Sequence, residues 1–540
     1  MLPDLMNSVH AIIHPDQAQK PKSLMERVLE GLQMGQPEIE KYNKFKRFRL
    51  WALFLPIIMW MSQGTKNISA IFCEVEGAQG ALGFSRSSLY DKLASPLIEW
   101  CGLAHAIMMS VAKLLLKLHP GDEGFLVLDD SNIERDRAKK CELGSNKLFD
   151  HNTRRWHRGF CLIQIGVAIS NLFVPVAFKL YGTAKDEYRI EVRRNVDMRT
   201  TAGKHRKEAT VSKPELVLEM LRYLSSTVCA GLTILCDSWF TSPSFIASAK
   251  ALGYGVIGLH KENRTKYYTF DGRAICVADE ARKIKEAIKA GHKFGSIAKS
   301  IPVYIVYHQT RIKGKLIFAK NWRHDGSAVK KPYVAILTTR LDMTDEEVRQ
   351  AYRRRWRIEQ GFRILKSWFG LISGNSAQLF ETNIALVSLA HIRYALLIAC
   401  KVMLFSQHTL NQVRKILVKE SIYQQPIADI ADGMKRTADN IQEAVVAADD
   451  GLHKDISQII AKSPDIPDEA KSALTEKLTR ASHQQMRIMT KAMLRAIALG
   501  FKSPIHSTAI DMVTNLLVRG NVTLPATFRE PLNQESDSCG

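Results

Sequence analysis

Two short apolar runs end in the same way: Phe125, Leu126, Val127 and Leu128 lead into Asp129 and Asp130, and Leu232, Ile234, Leu235 and Cys236 lead into Asp237. Unbroken apolar runs of this length predict strands buried on both faces. In α/β sheets, chemistry collects beyond the carboxyl ends of such strands. GFCLIQIGVAIS and LFVPVAFKLYG, 159–182, predict two adjacent strands joined by a tight turn at Ser170-Asn171. PELVLEMLRYLSS predicts a helix before the Asp237 strand, SPSFIASAKALG a helix after it, and YGVIGL a further strand. Asp at a strand end is a weak signal singly, because Asp also starts turns.

Between 263 and 343 the pattern changes. TKYYTF, VYIVYHQ, KLIFAK and PYVAILTT predict strands, with ARKIKEAIKA as a helix among them. Helical periodicity then returns in YRRRWRIEQGFRILK, 352–366, where a single acid, Glu359, stands among basic side chains. At about 100° per residue, Tyr352, Arg355, Glu359, Arg363 and Lys366 share a sector of roughly 80°. Ile358, Phe362, Leu365 and Phe369 form an apolar stripe beside it. One side is predicted to pack on a core while the polar row is presented along its rim. The plainer alternative is a solvated face with an i,i+4 Glu–Arg pair.

The spacing of Tyr352, Arg355, Glu359 and Lys366 resembles the YREK signature of bacterial insertion-sequence transposases, enzymes of the DDE type. The resemblance covers roughly residues 120–370. It implies a ribonuclease H-like catalytic core, which agrees with the predicted order of three strands, helix, strand, helix, strand. It also implies that Glu359 is the third metal-binding carboxylate, with two Asp upstream. In that family the first Asp is usually followed by Thr or Ser, so Asp130 before Ser131 is preferred to Asp129, and Asp237 is the second. The expected catalytic and metal-binding set is therefore Asp130, Asp237 and Glu359, holding two divalent ions, Mg²⁺ or Mn²⁺, because hard cations prefer oxygen ligands. Tyr352, Arg355, Arg363 and Lys366 are expected to contact DNA phosphates. The family's insertion supplies an aromatic that stacks on a flipped base in a hairpin mechanism. The aligned Trp is absent here, Tyr333 or Val334 standing near its position, and Trp322 is the candidate in its place.

Charge agrees with a polyanionic partner: the 540 residues carry a formal net charge of +22. Arg154 and Arg155, beside Trp156 and between His151 and His157, predict a basic DNA-facing loop, with metal ligation by a His as the alternative. WALFLPIIMWM, 51–61, is too short to span a membrane, and the apolar stretch 384–405 contains His391, Arg393 and Lys401. Nine scattered cysteines without metal-ligand spacing point to reduced thiols in a cytoplasm, and the resemblance implies a bacterial one, with the protein at the nucleoid. No phosphate-cradling or dinucleotide motif appears, so ATP is not expected.

The predicted organisation is a helical DNA-binding region at 1–118 and the first part of the core at 119–262. A β-rich insertion at 263–343, a core helix carrying Glu359 at 344–372 and a helical C-terminal region at 373–540 follow. Residues 67–95, with Ser85 or Ser87 as an N-cap, fit either a helix-turn-helix or an ordinary bundle. The expected function is a transposase that binds the terminal inverted repeats of an insertion sequence, cuts them and joins them to target DNA, as a homodimer in the synaptic complex. The alternatives are a metal-dependent nuclease without strand transfer and a catalytically idle DNA-binding protein.

Overall fold

An eleven-stranded mixed sheet organises the protein. The structure, a computed structural model, describes residues 23–45, 48–60, 85–150, 153–191, 195–321, 332–371, 377–418 and 461–462. Among the described residues, helices come first: α1 (Leu24–Gly31), α2 (Gln36–Glu40), α3 (Leu50–Trp60), α4 (Arg86–Leu93) and α5 (Trp100–Leu118). They are followed by β1 (Phe125–Glu134), β2 (Ser145–Asp150), β3 (Arg155–Ile169) and β4 (Leu172–Tyr181), then α6 (Thr201–Glu208), α7 (Lys213–Leu224), β5 (Thr233–Cys236), α8 (Pro243–Ala251) and β6 (Gly255–His260). Here β3 runs antiparallel to β1 and β4, while β1, β5 and β6 are parallel neighbours. The order β4-β3-β1-β5-β6 is the ribonuclease H-like core. The β3–β4 turn is the one expected at Ser170-Asn171, and Ser170 takes the left-handed conformation with φ of 51°.

The strands expected after residue 263 are all present, together with a short one the pattern did not reveal. They are β7 (Lys266–Thr269), β8 (Ala274–Cys276), β9 (Ile297–Tyr307), β10 (Thr310–Lys320) and β11 (Tyr333–Thr338), with α9 (Val277–Lys289) between β8 and β9. They extend the core sheet, because β11 pairs antiparallel with β6 and β10, β9 and β7 follow in turn. After them come α10 (Asp345–Arg353), α11 (Trp356–Ser367) and α12 (Phe380–Leu404).

Two expectations about local structure change. The apolar run before Asp129 does not end at the acids. Its strand continues to Glu134 because β3 pairs with it over its whole length, from Phe125↔Ala168 to Glu134↔Gly159. The apolar stretch expected at 384–405 begins earlier, at Phe380, and is one 25-residue helix. Both α5 and α12 are long and apolar enough to cross a membrane, but α12 is buried from Phe380 to Cys400 apart from Leu386. It carries Asn383, His391 and Arg393 inside the protein.

Of the proposed helix-turn-helix, residues 67–84 lie outside the described residues. Its remaining helix, α4, starts as expected at Ser85, whose hydroxyl accepts from the backbone N–H of Ser88 at 3.1 Å. Leu89 and Leu93 are buried and α4 packs on α12. One hydrophobic cluster runs from Met25 to Leu417.

A buried ion triad pins α12 to the rest. Arg206 on α6 donates to Glu381 Oε1 at 2.6 Å and Oε2 at 2.9 Å, and to Glu142 Oε2 at 2.7 Å. All three side chains are at most 6 % exposed. Removing one member of such a group leaves an uncompensated buried charge. Glu381→Gln is expected to lower unfolding free energy by about 3 kcal/mol, read from urea denaturation by tryptophan fluorescence. An unchanged midpoint would mean that Glu142 alone satisfies Arg206.

Candidate active site

The centre forms where β1 and β5 run side by side. Their register pairs Leu128 with Cys236, so the next residues, Asp129 and Asp237, are neighbours on adjacent parallel strands. Side chains at matched positions of parallel strands point to the same face, and the next residue along points to the other. Asp129 therefore shares a face with Asp237, and Asp130 does not. The contacts agree. Asp129 Oδ2 accepts from Arg355 Nη1 at 2.8 Å, and the same guanidinium donates through Nη2 to Glu359 Oε1 at 2.5 Å. Asp130 is paired instead with Lys213 of α7 and accepts from the Cys161 thiol at 2.9 Å.

The structure thus brings Asp129, Asp237 and Glu359 to one site, and leaves the sequence-preferred Asp130 on the opposite face of the sheet. A signal for this was present in the sequence. Phe125–Leu128 and Thr233–Cys236 are both four-residue segments, and aligning them sets Asp129 opposite Asp237. The Asp-Ser dipeptide favours Asp130, whose side chain the structure turns toward Lys213 and Cys161.

The signature segment is not one continuous helix. It breaks between α10 and α11, where Arg354 N, Arg355 N, Arg357 N and Ile358 N each bond to the carbonyl three residues back. Such bonds wind the chain more tightly than an α-helix, so a constant 100° step no longer fixes the direction of Tyr352. Tyr352 is 7 % exposed, its ring 6.0 Å from the Arg355 guanidinium. It is a buried support and not a rim residue. From Ile358 onward the expected stripe holds: Ile358, Phe362 and Leu365 are buried and α11 packs on β1, β4 and α12. Gly361 permits that approach, because a Cβ there would stand 2.7 Å from the Phe173 ring.

The other expected contacts are dispersed. Arg363 is exposed. Lys366 is half-buried toward Glu134 and Asp150 at the far end of β1 and β2; burial lowers its ammonium pKa, and those acids oppose the shift. Arg154 and Arg155 are exposed at the β2–β3 turn beside Trp156, which is 64 % exposed and packs on Phe149. Trp322 and His151 lie outside the described residues. His157 is not at the active centre: its Nδ1 bonds Asp136 Oδ2 at 2.7 Å, which raises its pKa, and Glu134 is 3.8 Å away. Glu134, Asp136 and His157 are ligand types within reach of one another. Two exposed aromatics that sequence reasoning passed over flank the centre in the chain, Trp239 after Asp237 and Trp356 after Arg355.

Burial pushes the Asp129 carboxyl up to about 7; Arg355 pulls it down, and the negative charge of Asp237 adds to the rise. Three carboxylates against one guanidinium leave two negative charges, and carboxylate oxygens are the donors that hard divalent cations prefer. The donor types suit a divalent-metal centre, although the oxygens of these three acids are not gathered within 4.8 Å of one another as those of Glu134, Asp136 and His157 are. Ionising Asp129 at this buried position has a cost that depends on pH. Its folded pKa lies above the ordinary 3.8, so its stabilising contribution is full below that value and is lost as pH rises toward about 7. In chelator, Asp129→Asn should therefore gain stability relative to the parent by a few kcal/mol across this window, followed by thermal melts at stepped pH. A difference that stays flat with pH would contradict the raised carboxyl.

Comparison with known proteins bears on the same residues. Residues 193–393 match the family model of a transposase DDE domain, and residues 45–283 that of a DDE superfamily endonuclease. No curated protein matches the chain. Among solved structures, the cryo-EM structure of the piggyBac transposase synaptic complex with hairpin DNA is similar over 88% of this chain and 91% of that chain, at 12% sequence identity and a TM-score of 0.36. The two overlapping family matches, which between them include Asp129, Asp237 and Glu359, support a DDE-superfamily transposase.

Proposed function

We propose that the protein is a metal-dependent DNA transposase of the YREK group, in which Asp129, Asp237 and Glu359 hold divalent cations, Mg²⁺ or Mn²⁺, at the carboxyl end of the β1–β5 pair. The observation that carries this is the Asp129–Arg355–Glu359 bridge beside Asp237, an arrangement of acids that the family matches lead one to expect. When bound, such cations neutralise phosphoryl charge and lower the pKa of an attacking water. The chain's own residues do the rest. Arg355 keeps two of the acids within reach of one another and offers a forked donor set to a phosphate. Tyr352, buried beneath it, holds the guanidinium in place. Arg363 on α11 and Arg154 and Arg155 at the β2–β3 turn are exposed cations for DNA phosphates, with Trp156 beside them as an exposed ring.

Cutting a terminal repeat and joining it to a target are both in-line displacements at phosphorus that differ in the nucleophile, water in one and a 3′-hydroxyl in the other. One centre therefore serves both steps. End recognition, two protomers in the synaptic complex and independence from ATP belong to the same proposal. A nuclease that stops after cutting is the second reading, favoured by the match to a DDE superfamily endonuclease.

Cleavage and strand transfer are assayed on DNA carrying the sequences that flank the gene. Asp129→Asn, Asp237→Asn and Glu359→Gln should each reduce metal-dependent cutting by roughly a thousandfold or more, equal to several kcal/mol of transition-state stabilisation. Asp130→Asn should stay within about tenfold of the parent. The reverse ranking of Asp129→Asn and Asp130→Asn would return the first ligand to Asp130. Cutting without any joined product would leave the nuclease.

A further inference from the structure

The strands added beyond β6 present two unlike faces. On one, Tyr267, Thr269, Ile275, Ile301, Val303, Ile305 and Ile312 are buried. Alternation along the strands sends Lys266 and Tyr268 of β7, Tyr304 and Val306 of β9, and Arg311 and Lys313 of β10 to the other. The register sets them side by side, with Tyr304 opposite both Tyr268 and Lys313, and Val306 opposite Arg311. Phe270, just past β7, closes the group: its ring lies 4.8 Å from Tyr304, and the Lys313 ammonium is 5.9 Å from its centroid. Tyr268 is 55 % exposed, Phe270 43 % and Val306 41 %. Lys266, Arg311 and Lys313 form no ion pair among the described residues. Asp271, in the β7–β8 turn, is bonded to Thr269 Oγ1 and lies 3.9 Å from Arg273.

We infer that this face is a stacking platform for an unpaired DNA strand. Exposed rings flanked by cations suit bases whose faces are open, with Lys313, Arg311 and Lys266 on the phosphates; every base has a π-face, so such a surface tolerates any sequence. A duplex hides its base faces within its own stack and would use the cations alone. A protein partner would leave Arg311, Lys313 and Lys266 to be paired by acids of its own. Strand separation at a cut DNA end supplies the occupant, and only in naming that strand as DNA does the inference rest on the proposed function. None of these residues belongs to the Asp129, Asp237 and Glu359 centre.

The full chain is tested in chelator, by fluorescence anisotropy with labelled oligothymidine and with a duplex of equal length. Tyr268→Ala and Phe270→Ala should each weaken single-strand binding by roughly 5- to 100-fold, leaving duplex binding and the salt slope unchanged. Phe270→Trp should restore it. Lys313→Ala should reduce the single-strand salt slope by about 0.7. A 5-bromouracil oligonucleotide should photocrosslink to peptides containing Tyr268, Phe270 or Tyr304. Equal losses on duplex and single strand would overturn stacking in favour of a phosphate surface. Unchanged affinity without crosslinks would assign the face to a protein or to a second copy of the chain. Loss of cleavage in Asp129→Asn with binding retained separates the platform from the metal centre, and either can fail alone.

Discussion

Bringing three carboxylates to the end of two parallel strands is the constraint on which this protein turns. Burial away from water raises the Asp129 carboxyl to about 7, and the neighbouring charge of Asp237 adds to the rise. Arg355 is the counterweight, donating to Asp129 with one nitrogen and to Glu359 with the other. It ties strand β1 to helix α11 across 226 residues of sequence. The bridge gives one of the basic residues around Glu359, Arg355, a structural task. The i,i+4 pairing of Arg355 and Glu359, which on a bare helix would be a minor surface contact, here becomes part of a half-buried network that joins α11 to β1.

The surroundings keep that network in register. Gly361 lets α11 lie against Phe173 of β4, and Ile358, Phe362 and Leu365 bury its apolar stripe. Behind it, α12 is held inside the protein by the Arg206 triad. His391 bonds Gln164 of β3 at 2.8 Å and stacks on Phe178 of β4. Polar groups at such depth are tolerated when they are paired. They make α12 a structural spine in place of the membrane segment its composition allows.

Positive charge serves two purposes. Arg206, Arg355 and Lys213 are committed to carboxylates inside or at the edge of the core. Arg154, Arg155, Arg363, Arg311 and Lys313 stand exposed. The exposed set gathers beside aromatic rings in two places, at Trp156 on the β2–β3 turn and at Tyr268 and Phe270 on the added strands. Because β11 joins those strands to β6, both places lie on one continuous sheet with the acid centre.

Local patterning was enough to read the strands before Asp129 and Asp237, the β3–β4 turn, the strands of the added region and the apolar stripe of α11. Each of these is written in periodicity over a few residues, and burial on one or both faces demands that periodicity. The net charge and the YREK spacing pointed toward DNA as the partner without a structure. What local pattern could not decide was relative register between segments far apart in the chain. The choice of Asp129 over Asp130 depends on Leu128 pairing with Cys236, since a shift of one residue turns a side chain to the other face of a strand. The burial of Tyr352 depends on three-residue hydrogen bonds at the α10–α11 break, which alter a helical phase that the sequence alone assigns as constant. The continuation of β1 to Glu134 depends on β3 as a partner. In each case the deciding interaction joins residues that periodicity cannot relate, and only the folded chain brings them within hydrogen-bonding distance.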